Sequence, residues 1–368
     1  LRQGFSDKYM NFKEEVMVKH RLILIILLVA QTAHGDFEFF RGVRQMGMGG
    51  ASIAVVNDET AVLSNPNGLG RLRDSFFTII DPEISASSSG MDTLLGTAVM
   101  GSSNPEEVYN DLSDTPGEPY YYKGQIFPSI VMPNFGLGLL GRYEVLSMRN
   151  SDGSFDYNYQ NDYSLNVGYN MSFWGGRIKF GMAGRLINRV EYFGTRGAGD
   201  SLELSAFATE GMGISVDTGL TLAAPWDWIP TFTVLLRDLG HTSFTAGGGA
   251  FGNNENGTPQ TVPQSIDLAV AVFPITGKYS RAVLTIEYTG IDSTAGAEAM
   301  DRLRIGTEFN FWDAYFLRAG WHENDWTAGF EYATGNLQFQ MATYSEAIVL
   351  PSLTDQDRRV VFKMAFRF

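Results

Sequence analysis

The residues of this chain that could carry chemistry are few and poorly spaced for it. Gly47, Gly49 and Gly50 open a glycine-rich stretch, GMGGASIAVVNDETAVLSNPNGLG, over residues 47–70. Phosphate cradles use such glycines to bring backbone N–H groups onto an anion at a helix start. Here no Gly-Lys-Ser/Thr follows, and residues 41–46 do not read as a buried strand. Of the four histidines, His20 and His34 fall in a leader, which leaves His241 and His322. His322 with Glu323 and Asp325 could orient a base for Ser345, but no Gly-x-Ser-x-Gly or His-x-x-x-His spacing supports it. The expectation is a protein that is not an enzyme, with no metal site and no cofactor.

A more coherent set is basic. Arg142, Arg177, Lys179, Arg185, Arg237, Arg281, Arg302, Arg304, Arg318, Lys363 and Arg367 recur within alternating segments of a chain whose net charge is −14. Such an acidic chain offers nothing to nucleic acid. The basic residues need elements that bring them to one face, and the patterning supplies these. In RLRIGTEFNF, Leu303, Ile305, Thr307, Phe309 and Phe311 oppose Arg302, Arg304, Gly306, Glu308 and Asn310. In DYSLNVGYNMSF, Tyr163, Leu165, Val167, Tyr169, Met171 and Phe173 oppose polar residues and glycine, and the closing VVFKMAFRF alternates in the same way. Segments of about ten residues with one apolar face are the signature of strands that cross a membrane in a β-barrel. A soluble sheet with one wet face alternates too. Strand length and the gathering of Trp226, Trp228, Trp312, Tyr315, Trp321 and Trp326 at strand ends favour the membrane, where aromatic girdles sit.

The fold class expected is therefore all-β: a transmembrane antiparallel β-barrel of about 14 strands with an N-terminal hatch or plug segment. Strands are predicted near 75–86, 120–132, 135–148, 155–171, 177–192, 211–223, 231–238, 264–273, 281–290, 302–311, 314–321, 326–334, 336–346 and 359–368. Short connections follow the even-numbered strands. Longer ones fall at 87–119, 193–210, 240–262, 291–301 and 347–358, with short exceptions at 149–154 and 322–325. That parity puts the short turns on the periplasmic side. Acidic residues of the outer loops, such as Asp111, Asp114, Glu118, Asp355 and Asp357, are either solvated or bridged through divalent cations to surface lipid.

Upstream, MVKHRLILIILLVAQTAHG has a basic start, an apolar run and small residues spaced as a cleavage site, which predicts a signal peptide over 17–35. Residues 1–16 read as an upstream translation artefact. Residues 36–74 form the expected hatch and 75–368 the barrel. The absence of cysteine excludes a disulfide framework, and the location expected is the bacterial outer membrane. Within the hatch, Gly47, Gly49, Gly50, Asn57, Asp58, Asn65, Pro66 and Gly68 are the residues expected to fold and anchor the plug; the alternative is an ordinary periplasmic tail. Arg142, Arg177, Arg185, Arg302, Arg304 and Arg318 are the expected lumen contacts, to the acidic hatch or to a ligand carboxylate. Ion-pair ladders that only stabilise the wall are the other reading.

GVRQMGMGGASIAVVNDETAVLSNPNGLGRL, residues 42–72, resembles the N-terminal hatch of the FadL-type outer-membrane transporters of long-chain fatty acids. Met48 to Ala51, Ala54-Val55-Val56-Asn57-Asp58, Ala61 and Asn65-Pro66-Asn67-Gly68-Leu69 carry the likeness, with Asn67 where Ala is usual. The region from Arg302 to Phe368, and residues 104–125, are similar to the PorV-type branch of the same superfamily. The resemblance implies one of two functions. The first is uptake of a hydrophobic or amphipathic molecule such as a long-chain fatty acid. The second is a non-enzymatic role as partner of a protein secretion or assembly system. Either way the partners expected are outer-membrane lipid, a hydrophobic small-molecule ligand or a secretion-system protein, around a monomeric barrel that closes its own edges.

Overall fold

A computed structural model describes residues 38–88, 104–246, 249, 256–292 and 300–368. The expected leader, residues 17–35, and residues 1–16 lie outside the described residues. The chain forms a closed antiparallel barrel of 14 strands. They are β1 (Phe76–Ile80 continued by Glu83–Ser87), β2 (Pro119–Ile126 continued by Ser129–Met132), β3 (Phe135–Arg149), β4 (Phe155–Phe173), β5 (Ile178–Arg196), β6 (Thr209–Ala223) and β7 (Thr231–Arg237). The rest are β8 (Ser265–Val272), β9 (Ser280–Tyr288), β10 (Leu303–Phe311), β11 (Tyr315–His322), β12 (Asp325–Ala333), β13 (Leu337–Leu350) and β14 (Leu353–Arg367). Closure is made by β14 against β1, with Thr78 opposite Arg367 and Arg359 opposite Ser87.

The alternation in the sequence is the alternation in space. Leu137, Leu165, Leu186, Leu220, Leu268, Ile286, Ile305 and Phe362 are exposed on the outside, while Arg142, Arg185, Arg304, Glu308 and Lys363 on the strands of Leu137, Leu186, Ile305 and Phe362 are buried inside. An outward apolar band with a charged interior is inverted relative to a soluble barrel and needs lipid around it. Trp174, Trp226, Trp228 and Trp312 stand exposed at the inner turns; Trp321 and Trp326 face each other at the outer end of β11 and β12. The two belts bracket the band. Glu323 and Asn324, both at positive φ, make the two-residue turn between β11 and β12, the backbone that a tight hairpin requires.

The wall is uneven in height. Strands β4 and β5 have 19 residues each, against 8 or 9 for β8 to β12. Crossing the lipid takes roughly 9–11 residues, so the taller strands stand well clear of it. Segment 347–358, expected as a loop, is instead the upper part of a β13–β14 hairpin that turns at 351–352. Its run of polar residues suggested a loop, yet above the bilayer a strand can be polar on both faces.

One seam departs from regular pairing. Pro82 and Pro128 break β1 and β2 at the same level, and neither has an N–H to give to the ladder. The carboxylate of Asp81 fills the gap by accepting the Phe127 N–H at 2.5 Å. Lys363 of β14 lies 3.0 Å from the same carboxylate.

Candidate functional site: the segment inside the barrel

Residues 38–72 run through the lumen. A short helix, α1 (Val43–Gly47), packs against β11 to β14; α2 (Ala61–Ser64) leads to a 3-10 turn, Pro66–Arg71, lying on β4, β5 and β6. The contact is close because the wall carries glycine where it meets the segment. A Cβ on Gly320 would fall 2.2 Å from the Gly49 nitrogen, one on Gly306 2.5 Å from the Met48 carbonyl oxygen, and one on Gly181 2.5 Å from the Asn67 nitrogen. On the segment's side Gly47 faces Gly329, and Gly49 and Gly50 take φ of +64° and +79°, which a side chain would strain. Thr327 locks this bend: its hydroxyl accepts the Gly49 N–H at 2.8 Å and donates to the Gly47 carbonyl at 3.1 Å. Asn65 caps the 3-10 turn by accepting the Asn67 N–H at 3.1 Å, donates to the Ile53 carbonyl at 2.6 Å, and Pro66 follows in the first turn. Gly68 lies against Val56, within 2.7 Å of its Cγ1 if it bore a Cβ.

The segment is held by ion pairs of both signs. Glu38 reaches Arg237 at 2.9 Å and Arg304 at 2.8 Å. Arg41 reaches Glu346 at 2.5 Å, and Arg44 meets Glu308 through two bonds of 2.9 Å. Glu59, 1% exposed, accepts from Arg367 at 2.6 and 2.7 Å and lies 3.4 Å from Lys363. Glu287 of β9 accepts the backbone N–H groups of Ser52 and Ile53 at 2.9 and 3.1 Å. Burial alone would push the carboxyl of Asp58 up; Arg44, assisted by the Thr60 hydroxyl, reverses this and holds it at about 2. Glu59 is likewise pushed up by burial and brought below its ordinary value by Arg367 and Lys363.

Arg142, Arg185, Arg304 and Arg318 line the lumen. Arg142 donates to the Phe39 carbonyl at 2.8 Å and to Asp162 at 2.8 Å, while the Arg185 guanidinium lies 4.6 Å from the Phe39 ring centre and pairs with Asp217. Arg318 joins Glu308 to Glu331. Arg177 stands exposed in the inner turn after β4, and Arg302 sits at the outer rim, donating to the Gly290 carbonyl at 2.6 Å. Asn57 is exposed, and it and Asp58 bind Arg44 within the segment at 2.6 and 3.1 Å rather than the wall. The plan of a basic wall around an acidic plug is therefore too simple. The segment contributes Arg41 and Arg44 to wall carboxylates, and the wall answers its own bases through Asp162, Asp217 and Asp267. Those aspartates occupy inward positions of alternating strands, so parity alone would have found them. His322 is buried, 3.4 Å from Glu323, and the Ser345 hydroxyl bonds Gln356 and meets Asp325 rather than the imidazole.

Above the segment the mouth is narrowed from two directions. The β13–β14 hairpin reaches across to β3 and β4: Asn158 donates to the Val349 carbonyl at 3.0 Å, the Ser352 N–H donates to Asp156 at 3.0 Å, and Ile348, Leu350 and Leu353 pack on Leu146 and Met148. From the β7–β8 connection, Phe244 and Val262 enter the same apolar cluster as Phe39 and Phe40. Arg189, which shares Asp162 with Arg142, lies 5.0 Å from the Phe244 ring centre. Asp162 thus ties a residue touching the segment to a residue touching the outer connection.

A closed, lipid-facing barrel of 14 strands with a segment folded inside belongs to the class of outer-membrane β-barrels. No protein-family model matches the chain, and none of the curated proteins matches it. Among solved structures it is similar to the Pseudomonas putida toluene transporter TodX, with 13% identity, 90% of this chain and 99% of that one covered, and a TM-score of 0.53. The CymD monoaromatic hydrocarbon channel is similar at 10% identity, with 90% and 98% covered and a TM-score of 0.55. The Ralstonia pickettii toluene transporter TbuX is similar at 13% identity, with 90% and 99% covered and a TM-score of 0.51. At these identities the likeness is one of fold.

Proposed function

We propose that this barrel carries small hydrophobic or amphipathic molecules across the outer membrane, with residues 38–72 as the hatch that controls passage. The observation that carries the reading is how the segment is held. Its contacts combine buried ion pairs, backbone hydrogen bonds to Thr327 and Glu287, and close glycine packing. Polar contacts of this kind have direction, and each exchanges protein partners for water at a modest net cost, so the segment can be released stepwise within a wetted lumen. Arg142 and Arg185 around Phe39 are placed to take a ligand carboxylate if Phe39 moves aside. That placement suits an acid such as a long-chain fatty acid. The similar structures, two toluene transporters and a monoaromatic hydrocarbon channel, support apolar cargo in general.

The test is uptake of labelled oleate and labelled toluene by cells that lack their own barrel for each compound and express this one. Uptake of either above the empty-vector rate supports transport. An oleate rate that falls with Arg142→Gln and Arg185→Gln while the toluene rate holds assigns the carboxylate to that pair. Neither compound entering faster than in control cells overturns the reading. The second reading, a barrel that serves a protein secretion or assembly system, draws on the tall rim and the narrowed mouth. A protein recovered in equal amount with the purified barrel, together with absent uptake, would favour it.

A further inference from the structure

The outer surface of the wall has a feature that transport through the lumen does not use. On β4 the odd-numbered residues from Tyr163 to Phe173 face outward and are exposed. Phe155, Tyr157 and Tyr159 share that parity, so they lie on the outside of the wall above the lipid band, yet all three are buried. They are covered by a helix in the first outer loop, α3 (Pro105–Asp111), and by the loop between β5 and β6, whose Phe207 meets Tyr157 and Tyr192 edge-on. Outer loops therefore fold down over the external face of the barrel.

Between the helix and the loop lies an open cavity of about 370 Å³. Its apolar side is Tyr109 and Leu202, backed by Phe155, which is 1% exposed and meets the Tyr109 ring edge to face at 5.4 Å. Its polar side carries three carboxylates, Glu106, Asp200 and Glu203, and among the described residues no lysine or arginine lines it. The nearest bases are turned elsewhere. Arg149 stacks on Tyr109 at 4.2 Å, and Arg196 lies over the Phe207 ring, 3.9 Å from Asp200. One carboxylate of three is thus partly answered from outside the cavity.

We propose that this cavity binds a small organic cation, an ammonium group on an aromatic or short alkyl body. The body rests on Tyr109 and Leu202, and the ammonium group faces Glu106 and Glu203. Cavities of this size suit ligands of small-molecule dimensions, and an apolar floor with a few convergent polar groups is the usual form of such a site. The sign of the charge follows from complementarity, since an anion would meet three carboxylates and no base. The site lies outside the lumen and does not rest on the transport reading.

The test uses the full barrel in mild detergent, with benzylammonium chloride, its neutral isostere benzyl alcohol, and phenylacetate as probes in saturation-transfer NMR and calorimetry. Benzylammonium is expected to bind, more weakly at high salt because exposed charges are screened, with benzyl alcohol weaker and phenylacetate excluded. Glu106→Gln with Glu203→Gln should weaken benzylammonium by roughly tenfold, equivalent to one decade of Kd, and leave benzyl alcohol unchanged. Equal binding of all three probes, no binding of benzylammonium, or an unaltered affinity in the double variant would overturn the proposal. The gel shift of the unboiled barrel checks that the variant is folded, and hatch variants should leave the affinity untouched.

Discussion

Replacing Glu59 with alanine is the sharpest test of how the segment is held. The carboxylate is 1% exposed and accepts two bonds from Arg367, at 2.6 and 2.7 Å, with Lys363 at 3.4 Å. Breaking a buried pair by removing one partner costs about 3–5 kcal/mol, because the other charge is left unanswered. Two facts place this case near the lower end. Lys363 keeps Asp81 at 3.0 Å, and the Arg367 side chain is 13% exposed and can hydrate. A loss of about 3 kcal/mol raises the opening constant of the segment by roughly a hundredfold. Amide hydrogen exchange reads this directly. Protection over residues 38–72 should fall by about that factor while amides of the β3–β6 ladder stay as they were. Exchange within about threefold of the unaltered protein across the segment would mean that Glu59 is not a latch, and the reasoning from buried pairs would fail here.

Other perturbations test separate contacts. Gly320→Val puts atoms where the Gly49 backbone lies, 2.2 Å from the nearest possible Cβ, so the segment must shift and limited proteolysis should cut within residues 38–72. Asp58, at about 2 against 3.8 when exposed, is a group with a lowered value; its stabilisation is complete above roughly pH 4 and is lost as pH falls through about 2. A spin label on Asn57→Cys, in a chain with no other cysteine, should gain mobility over that window and not between pH 5 and 8. Leu165→Arg on the lipid face should destabilise the barrel by about 2–4 kcal/mol near mid-bilayer, measured by denaturant unfolding in vesicles. A barrel lacking residues 38–72 should conduct far more ions across a planar bilayer than the intact one, and equal conductance would remove the plug.

Most of the wall was legible because membrane strands obey one rule over their whole length. Parity placed Leu165 outside and Arg304 inside, and the expected strand edges agree with the observed ones for β3, β9 and β10 within a residue or two. The rule loses its meaning where lipid ends. Above the band Phe155, Tyr157 and Tyr159 keep outward parity but are covered by loops, and the polar residues 355–358 belong to a strand. The contacts of the segment were less legible. Asn57 and Asp58 turn inward on Arg44, a choice made by chain geometry within the segment. Arg177 and Arg302 fall one position past the ends of their strands, where alternation no longer fixes a side. Gly181, Gly306 and Gly320 carry a usable signal, since glycine at an inward strand position marks a place where another backbone comes close.

The seam at Pro82 and Pro128 bears on how such a molecule is put together. Asp81 substitutes for the missing ladder bond to β2, Lys363 holds Asp81 from β14, and the same lysine faces Glu59 of the internal segment. Glu59 and Lys363, 304 positions apart in the chain, thus meet at an ammonium group that also holds Asp81. The first strand, the last strand and the segment share a single set of charges, so the contents of the cylinder help to hold its last edge to its first. A barrel emptied of residues 38–72 closes over a lysine that has lost Glu59 and keeps Asp81.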